Sequence, residues 1–272
     1  MLNIICPDCS LPLNQSGGSL VCPNRHSFDF SKEGYVNLLK SGKSGALIGD
    51  NRDMALSRRD FLSKGYYDAL ARELKKEYDS SKNDSFTAVD ICCGEGYYTQ
   101  FISADAKGAF YGFDISKEMI RLAAKRKCGA QFFVANMKNL PLESSSVNLA
   151  FHLFAPFCED EFARILSDGG RLISVTGGRE HLFGLKEVLY DTPYENDETV
   201  PEYKKLTLVE SRRITDTVTL TSNEDIYSLF KMTPYYYHTN RKHKERLDGI
   251  DELTTKLDFV LNIYAKTEGE NE

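Results

Sequence analysis

FTAVDICCGEGYYTQFISADAKGAFYGFDISKEMIRLAAKR, residues 86–126, decides the fold. It contains two short apolar runs, FTAVDI (86–91) and AFYGFDI (109–115), each followed by a segment with helical spacing. The first run meets its helix, near 97–105, through a glycine turn, and the second helix (116–126) opens with Ser116 at the N-cap and Glu118 in its first turn. Apolar runs this short, flanked by turn residues, read as buried strands. Strand, helix, strand at these lengths implies parallel pairing through crossovers.

The alternation continues outward. AQFFVA (130–135), SVNLAFHLF (146–154) and GRLISVTG (170–177) are further strands, with a helix over 159–166. The class is therefore α/β, with a Rossmann-like, doubly wound sheet. Two later β-rich pieces, KKLTLVESRRITDTVTL (204–220) and LDFVLNIYAK (257–266), are expected to close the sheet edge as a hairpin-like pair. Upstream, residues 53–78 have helical spacing, broken near Gly65. The Gly/Ser/Lys-rich KSGKSGALIGDN (40–51) reads as a linker. The expected organisation is a small N-terminal domain over 1–38, a linker over 39–52 and a large α/β domain over 53–272.

The 272 residues are enough for one large domain and a small one, and their 41% apolar and 27% charged content is that of a globular chain. No apolar run reaches the roughly 20 residues that span a bilayer, and no basic segment leads into an apolar one at the start. The expectation is a cytoplasmic chain without a membrane partner. A net charge of -6 argues mildly against a generic nucleic-acid binder, although HTNRKHKER (238–246) is locally basic.

Three of the seven cysteines fall in CPDCSLPLNQSGGSLVCPNRHSFDF (6–30). Cys6-x2-Cys9 and Cys22-x3-His26 form two knuckles, and Gly17-Gly18 lets the chain between them reverse. Tetrahedral zinc takes four such ligands at about 2.0–2.3 Å. A segment this short has no core of its own, so Cys6, Cys9, Cys22 and His26 are expected to hold a structural Zn²⁺ that supplies its folding energy. Cys92, Cys93, Cys128 and Cys158 cluster with no histidine and read as small apolar residues.

The turn Asp90-Ile-Cys-Cys-Gly94-Glu-Gly96-Tyr-Tyr98-Thr99 lies where open α/β sheets bind ligands, beyond the carboxyl ends of the strands. Gly94 and Gly96 allow close backbone approach. Asp114 ends the second strand, where a carboxylate can take both hydroxyls of a ribose, and Asn136 follows the third, where an amide can meet an adenine edge. A dinucleotide site would want a third glycine where Thr99 stands, and Asp90 would repel a pyrophosphate. S-adenosylmethionine carries no phosphate, and its ammonium and sulfonium favour nearby carboxylates and aromatic faces.

With the ribbon, RHSFDFSKEGYVNLL (25–39), RRDFLSKGYY (58–67), DICCGEGYYT (90–99), FDISK (113–117) and MTP (232–234) in one order, the chain resembles the RlmA family of 23S rRNA (guanine-N1)-methyltransferases over nearly its whole length. The resemblance implies a class I methyltransferase domain joined to a zinc ribbon. It implies S-adenosylmethionine as donor, a hairpin of 23S rRNA as partner and a homodimer in which two ribbons embrace one RNA. One branch of the family is linked to resistance to tylosin-type macrolides. Carried over by position, its cofactor contacts fall on Tyr67, Tyr98, Thr99 and His181. Asp90, Gly94, Gly96, Asp114 and Asn136 rest on the motif itself.

This chain departs from the family pattern at Cys92, where a glycine is usual. If that position has positive φ, its Cβ costs about 1 kcal/mol or more; otherwise a small side chain fits a slightly shifted turn. His152 is the nearest candidate base after the fourth strand, but a lone histidine in an apolar strand is usually a satisfied core residue. Phe154 and Phe157 are candidates to stack on an extruded guanine or to pack. Arg25, Lys32, Lys40, Lys43, Arg58, Arg59 and the 241–246 stretch are candidate phosphate contacts. Two other readings stay open: a small-molecule methyltransferase, and an rRNA-binding protein with a degenerate cofactor turn.

Overall fold

A computed structural model describes residues 4–39, 52–81 and 85–267. The expected 39–52 linker, with Lys40 and Lys43, falls almost wholly outside them. The ribbon is a three-stranded antiparallel sheet of β1 (Asn14–Ser16), β2 (Ser19–Val21) and β3 (Ser27–Asp29). A fourth strand, β4 (Val36–Asn37), leaves the ribbon and pairs parallel with a strand of the larger sheet, Val36 opposite Phe133.

Helices α1 (Arg52–Ser63) and α2 (Asp68–Ser81) follow, interrupted around Gly65 as its spacing suggested. The alternation then runs β5 (Thr87–Ile91), α3 (Tyr97–Ser103), β6 (Ala109–Asp114), α4 (Lys117–Ala124), β7 (Gln131–Val134), β8 (Val147–Leu153), α5 (Glu159–Ile165), β9 (Leu166–Gly177) and α6 (Phe183–Leu189). The chain closes with β10 (Leu206–Leu220), α7 (Asn223–Lys231), the short α8 (Tyr235–His238) and α9 (Arg241–Lys244), and β11 (Leu253–Lys266). β10 and β11 are paired antiparallel, as expected, but helices rather than a tight turn join them.

The large sheet has eight strands in the order β10-β11-β9-β8-β5-β6-β7-β4. Every residue of β5 is buried, because helices or ribbon cover both faces. From β5 the chain steps outward through β6 and β7, then returns to place β8 on the other side of β5. That reversal opens a crevice at the carboxyl ends of β5 and β8. α4 is anchored by Ser116, whose hydroxyl accepts from the Met119 N–H at 3.3 Å, and it buries Met119, Ile120, Leu122 and Ala123.

On one face Leu70, Leu74 and Tyr78 of α2 pack with Phe110, Phe151, Leu185, Leu229 and Phe259. On the other, the ribbon residues Ile4, Leu13, Leu20, Val36 and Leu38 share a core with Val89, Phe133 and Phe162. The Ile5 N–H donates to the Pro141 carbonyl at 3.0 Å, and the Leu38 N–H to that of Val134 at 2.9 Å. The ribbon is thus seated on the large sheet, which nothing in its own short pattern announces.

Candidate active site and metal centre

The glycine turn is shaped by contacts on both sides. Gly96 has φ 83°, and a Cβ there would lie 2.8 Å from the Cβ of Ala123, so α4 can pack on the turn only against glycine. The Gly94 N–H donates to Asp114 Oδ2 at 3.0 Å and the Ser116 N–H to Oδ1 at 2.8 Å, which aims the Asp114 carboxylate. Below the turn, buried Glu95 pairs with Arg126, whose Nε also donates to the Glu95 carbonyl at 3.0 Å.

Asp90, at the end of β5, is 1% exposed. Its Oδ2 accepts from the Thr99 hydroxyl at 2.5 Å, while Oδ1 has no hydrogen-bond partner among the described residues. Burial pushes its pKa up to about 7; the Thr99 hydrogen bond pulls the other way, and the nearby Asp114 charge adds to the rise.

A cavity of about 310 Å³ opens here, walled by Arg58, Asp90, Cys92, Tyr98, Asp114 and Phe154 among others. A second, of about 400 Å³, is walled by Tyr67, His181, Asn196, Asp197, Thr233 and Tyr235 among others. Arg58 and Phe154 line both, so the two form one cleft. Among the described residues, four buried polar atoms of the wall residues have no hydrogen-bond partner: Asp90 Oδ1, Glu95 Oε1 and the hydroxyls of Tyr67 and Tyr98. Burial raises the pKa of both phenols, so they stay protonated donors. A ligand with an ammonium to donate and a carboxylate to accept would satisfy Asp90 Oδ1 and the two hydroxyls, while Glu95 Oε1 belongs to the carboxylate that Arg126 already neutralises.

His181 lies in the turn after β9. Its Nδ1 accepts from the Asp258 N–H at 3.2 Å, so the ring proton sits on Nε2. Burial pushes its pKa down to about 4, the Asp258 carboxylate opposing, and keeps the ring neutral. The turn is braced by Asp258, whose buried carboxylate accepts from the Glu180 N–H at 2.9 Å and from Arg213 Nε at 2.6 Å. A Cβ on Gly178 would stand 2.6 Å from Asp258 Oδ1, so that brace requires glycine. Arg213→Ala leaves the Asp258 carboxylate with the Glu180 N–H as its one hydrogen-bond donor among the described residues. The expected cost is about 1–3 kcal/mol, kept down because Arg213 is itself half-exposed. Urea denaturation measures it, and a loss below about 0.5 kcal/mol would mean that solvent already screens the pair.

The candidates after β8 separate. His152 is a satisfied core residue: its Nε2 donates to the Pro156 carbonyl at 3.1 Å, its Nδ1 lies 3.4 Å from Ser174 Oγ, and burial lowers its pKa to about 4. Phe157 packs, stacked on Tyr203 with ring centroids 4.2 Å apart. Phe154 is 43% exposed, lies between the two cavities and holds a left-handed φ of 54°.

Of the other sequence candidates, Gly96 and Thr99 stand behind the cleft wall and shape it. Asn136 lines neither cavity; its side-chain oxygen accepts from the Lys138 N–H at 3.0 Å. Arg58, read from the sequence as a phosphate contact, instead lines the cleft, with a guanidinium N–H donating to the Met232 carbonyl at 3.3 Å. Arg59 donates to the Leu122 carbonyl at 3.2 Å. Asn196 and Asp197, in the irregular stretch between α6 and β10, carried no sequence signal. Thr233 and Pro234 did carry one, as part of the MTP motif.

Cys92 has φ 60°, so its Cβ is strained; its thiol donates to Met137 Sδ at 3.4 Å. Cys92→Gly relieves about 1 kcal/mol of strain, which the greater freedom of an unfolded glycine largely offsets. With the thiol engaged by Met137, the expected change in S-adenosylmethionine affinity is less than about threefold, or about 0.7 kcal/mol. A tenfold gain by calorimetry would mean that the side chain crowds the ligand.

At the other end of the chain, Cys6, Cys9, Cys22 and His26 converge, with one ligand atom of each within 4.8 Å of the others. His26 Nδ1 lies 3.4 Å from the sulfurs of Cys6 and Cys22, and Cys9 Sγ lies 3.6 Å from Cys22 Sγ. These separations match the edges of a small tetrahedron with S and N corners, the donor set of a closed structural zinc site.

Residues 4–42 match the family described as "RlmA, N-terminal", a zinc ribbon, and residues 88–177 match a methyltransferase domain. The chain is 30% identical to the 23S rRNA (guanine(748)-N(1))-methyltransferase of Streptomyces fradiae, over 94% of this chain and 95% of that one. It is 31% identical to YxjB of Bacillus subtilis (strain 168), described as a 23S rRNA (guanine-N(1)-)-methyltransferase, over 95% and 96% of the two chains. Among solved structures, a chain from the complex of the Haloferax volcanii Trm112 methyltransferase activator with a methyltransferase superposes with a TM-score of 0.51 at 18% identity. It covers 81% of this chain and 100% of its own length, a likeness of fold.

Proposed function

Because this chain belongs to the RlmA family of 23S rRNA (guanine-N1)-methyltransferases, we propose that it methylates N1 of one guanine in a hairpin of 23S rRNA, with S-adenosylmethionine as donor. When bound, the donor supplies an electrophilic methyl group on a sulfonium. Asp114, aimed by the Gly94 and Ser116 N–H groups, takes the ribose hydroxyls. Asp90 Oδ1 takes the ammonium, and the Tyr67 and Tyr98 hydroxyls take the carboxylate. His181 offers its Nε2–H to the same end of the ligand. Gly94, Gly96 and Thr99 hold the turn, and Asn136 keeps its amide nitrogen for the adenine edge. The observation that supports this reading is that Asp90 Oδ1 and the Tyr67 and Tyr98 hydroxyls, three of the four buried wall atoms without a hydrogen-bond partner among the described residues, match in polarity an amino-acid zwitterion; the fourth, Glu95 Oε1, belongs to a carboxylate already paired with Arg126.

N1 lies on the Watson–Crick edge, so the guanine must leave its stack before it can react. Phe154 offers an exposed aromatic face at the cleft, and its strained backbone suits a functional position. Positioning of this kind can supply about 7–11 kcal/mol of the barrier. Arg25 and Lys32 stand exposed on the ribbon, with no ion-pair partner among the described residues, and contact phosphates of the hairpin. In this reading residues 1–38 are the RNA-gripping ribbon and 53–272 the catalytic domain, two copies act on one hairpin, and the protein works in the cytoplasm. No helix of the described residues is long and apolar enough to cross a membrane.

The test is methyl transfer to unmodified 23S rRNA, with and without a zinc chelator. The expected result is a zinc-dependent stop to reverse transcription at one guanine. Transfer that needs no RNA, or RNA binding without transfer, would replace this reading with one of the two others.

A further inference from the structure

The second cavity has one carboxylate in its described lining, Asp197. Its Oδ1 accepts from the Thr199 N–H at 2.9 Å and from the Thr199 hydroxyl at 2.6 Å, while Oδ2 has no hydrogen-bond partner among the described residues. The neighbouring residue is fixed from both sides. Asn196 Nδ2 donates to the Gly178 carbonyl at 2.7 Å, and its Oδ1 accepts from the fully buried Lys186 Nζ at 2.6 Å. Lys186 Nζ also donates to the Tyr194 carbonyl at 2.9 Å and lies 4.4 Å from the centroid of the Tyr194 ring. An irregular stretch is thereby pinned so that a charged acceptor faces the cleft. Phe154 gives the cavity an aromatic wall, and the Tyr67 hydroxyl, assigned above to the donor's carboxylate, sets the methionine end of the donor at its border.

An ionised carboxylate only accepts hydrogen bonds. Guanine presents two adjacent donors on its Watson–Crick edge, N1–H and the N2 amine. Adenine and cytosine present a ring nitrogen lone pair instead, which a carboxylate repels. Uracil has a single donor between two carbonyls. The carboxylate of Asp197 therefore suits guanine over the other three bases.

We propose, resting on the methyltransferase reading above, that this cavity seats the target guanine and that Asp197 reads its N1–H/N2 edge and takes the N1 proton. As the bond from N1 to the methyl carbon forms and the bond from that carbon to sulfur breaks, releasing S-adenosylhomocysteine, the N1 proton passes to Asp197 Oδ2. Asp197 keeps its hold on the N2 amine as N1 is released to the methyl carbon. The residue is exposed on its outer side, so the proton then leaves to solvent.

The test uses the 23S hairpin carrying the guanine that the wild-type protein methylates, and the same hairpin with inosine there, which lacks the N2 amine. Affinity is measured without donor, and methylation in single turnovers with it. The wild-type protein should prefer guanine to inosine by about tenfold in affinity. Asp197→Ala should lose that preference and methylate about a hundredfold more slowly, with unchanged S-adenosylmethionine affinity by calorimetry. Asp197→Asn, which keeps an acceptor but takes up no proton, should retain part of the preference and lose the rate. A preference that survives intact in Asp197→Ala overturns the proposal, whatever the rate. A wild-type protein that methylates no guanine in the RNA overturns the function itself, and this inference with it.

Discussion

Cys22→Ser is expected to leave the protein without zinc and its ribbon unfolded, and to lower the stability of the catalytic sheet as well. Structural zinc supplies about 10–16 kcal/mol of apparent folding free energy in small modules, far more than the few short strands of this ribbon could replace. The damage does not stop at the ribbon, because Val36 pairs with Phe133 on the sheet edge, and Leu13, Leu20 and Leu38 are buried in the core around Val89. Each such side chain contributes about 1.5–3 kcal/mol when buried. Metal content and thermal unfolding check this together: zinc falls to background, the unfolding midpoint drops, and a chelator reproduces both on the wild-type chain. Cys128→Ser, outside the cluster, should change stability by no more than about 1 kcal/mol. A Cys22→Ser protein that loses its metal yet unfolds at the wild-type temperature would show that the ribbon is not integral to the fold.

Asp90→Ala is expected to weaken S-adenosylmethionine by about thirtyfold, the worth of about 2 kcal/mol for a charge-assisted hydrogen bond. The wild-type protein should show a matching pH dependence. A pKa of about 7 lies above the ordinary aspartate value of 3.8, so the ligand-free fold holds its Asp90 proton more tightly than the unfolded chain does. That contribution to stability is full below pH about 4 and is lost as the pH rises through about 7. Binding runs the other way. An ammonium prefers the ionised carboxylate, so affinity should rise from pH 6 to about pH 7.5, above which the ligand's α-amino group, with a pKa of about 7.7–8.0, loses its charge and affinity declines. Calorimetry across that range should find the rise in the wild-type protein and none in Asp90→Ala. A flat wild-type profile would mean that Asp90 does not meet the ammonium.

The sequence by itself determined what short-range pattern can carry. The apolar runs at 86–91 and 109–115, with their helical partners, dictated the parallel sheet, because strands buried on both faces leave few alternatives to hydrophobic residues. The spacing of Cys6, Cys9, Cys22 and His26 determined the metal centre, because a tetrahedral ion constrains its ligands whatever surrounds them. The turn that carries Asp90, Gly94 and Gly96 and meets Asp114 was legible for a similar reason, since a tight turn under a packed helix restricts side chains locally.

Only the tertiary structure decided the rest, through contacts between residues far apart in the chain. Val36–Asn37 is too short to show periodicity, yet it seats the ribbon on β7. His152 became a core residue because Pro156 turns its carbonyl toward the ring. Arg58 became a wall of the cleft because Met232, 174 residues away, accepts its N–H. Asp197 lies in a stretch with no periodic pattern, and the buried ammonium of Lys186, holding its neighbour Asn196, helps to fix it there. Such placements follow from the packing of whole elements, in which distant carbonyls, carboxylates and rings meet, and no local spacing encodes which of them will do so.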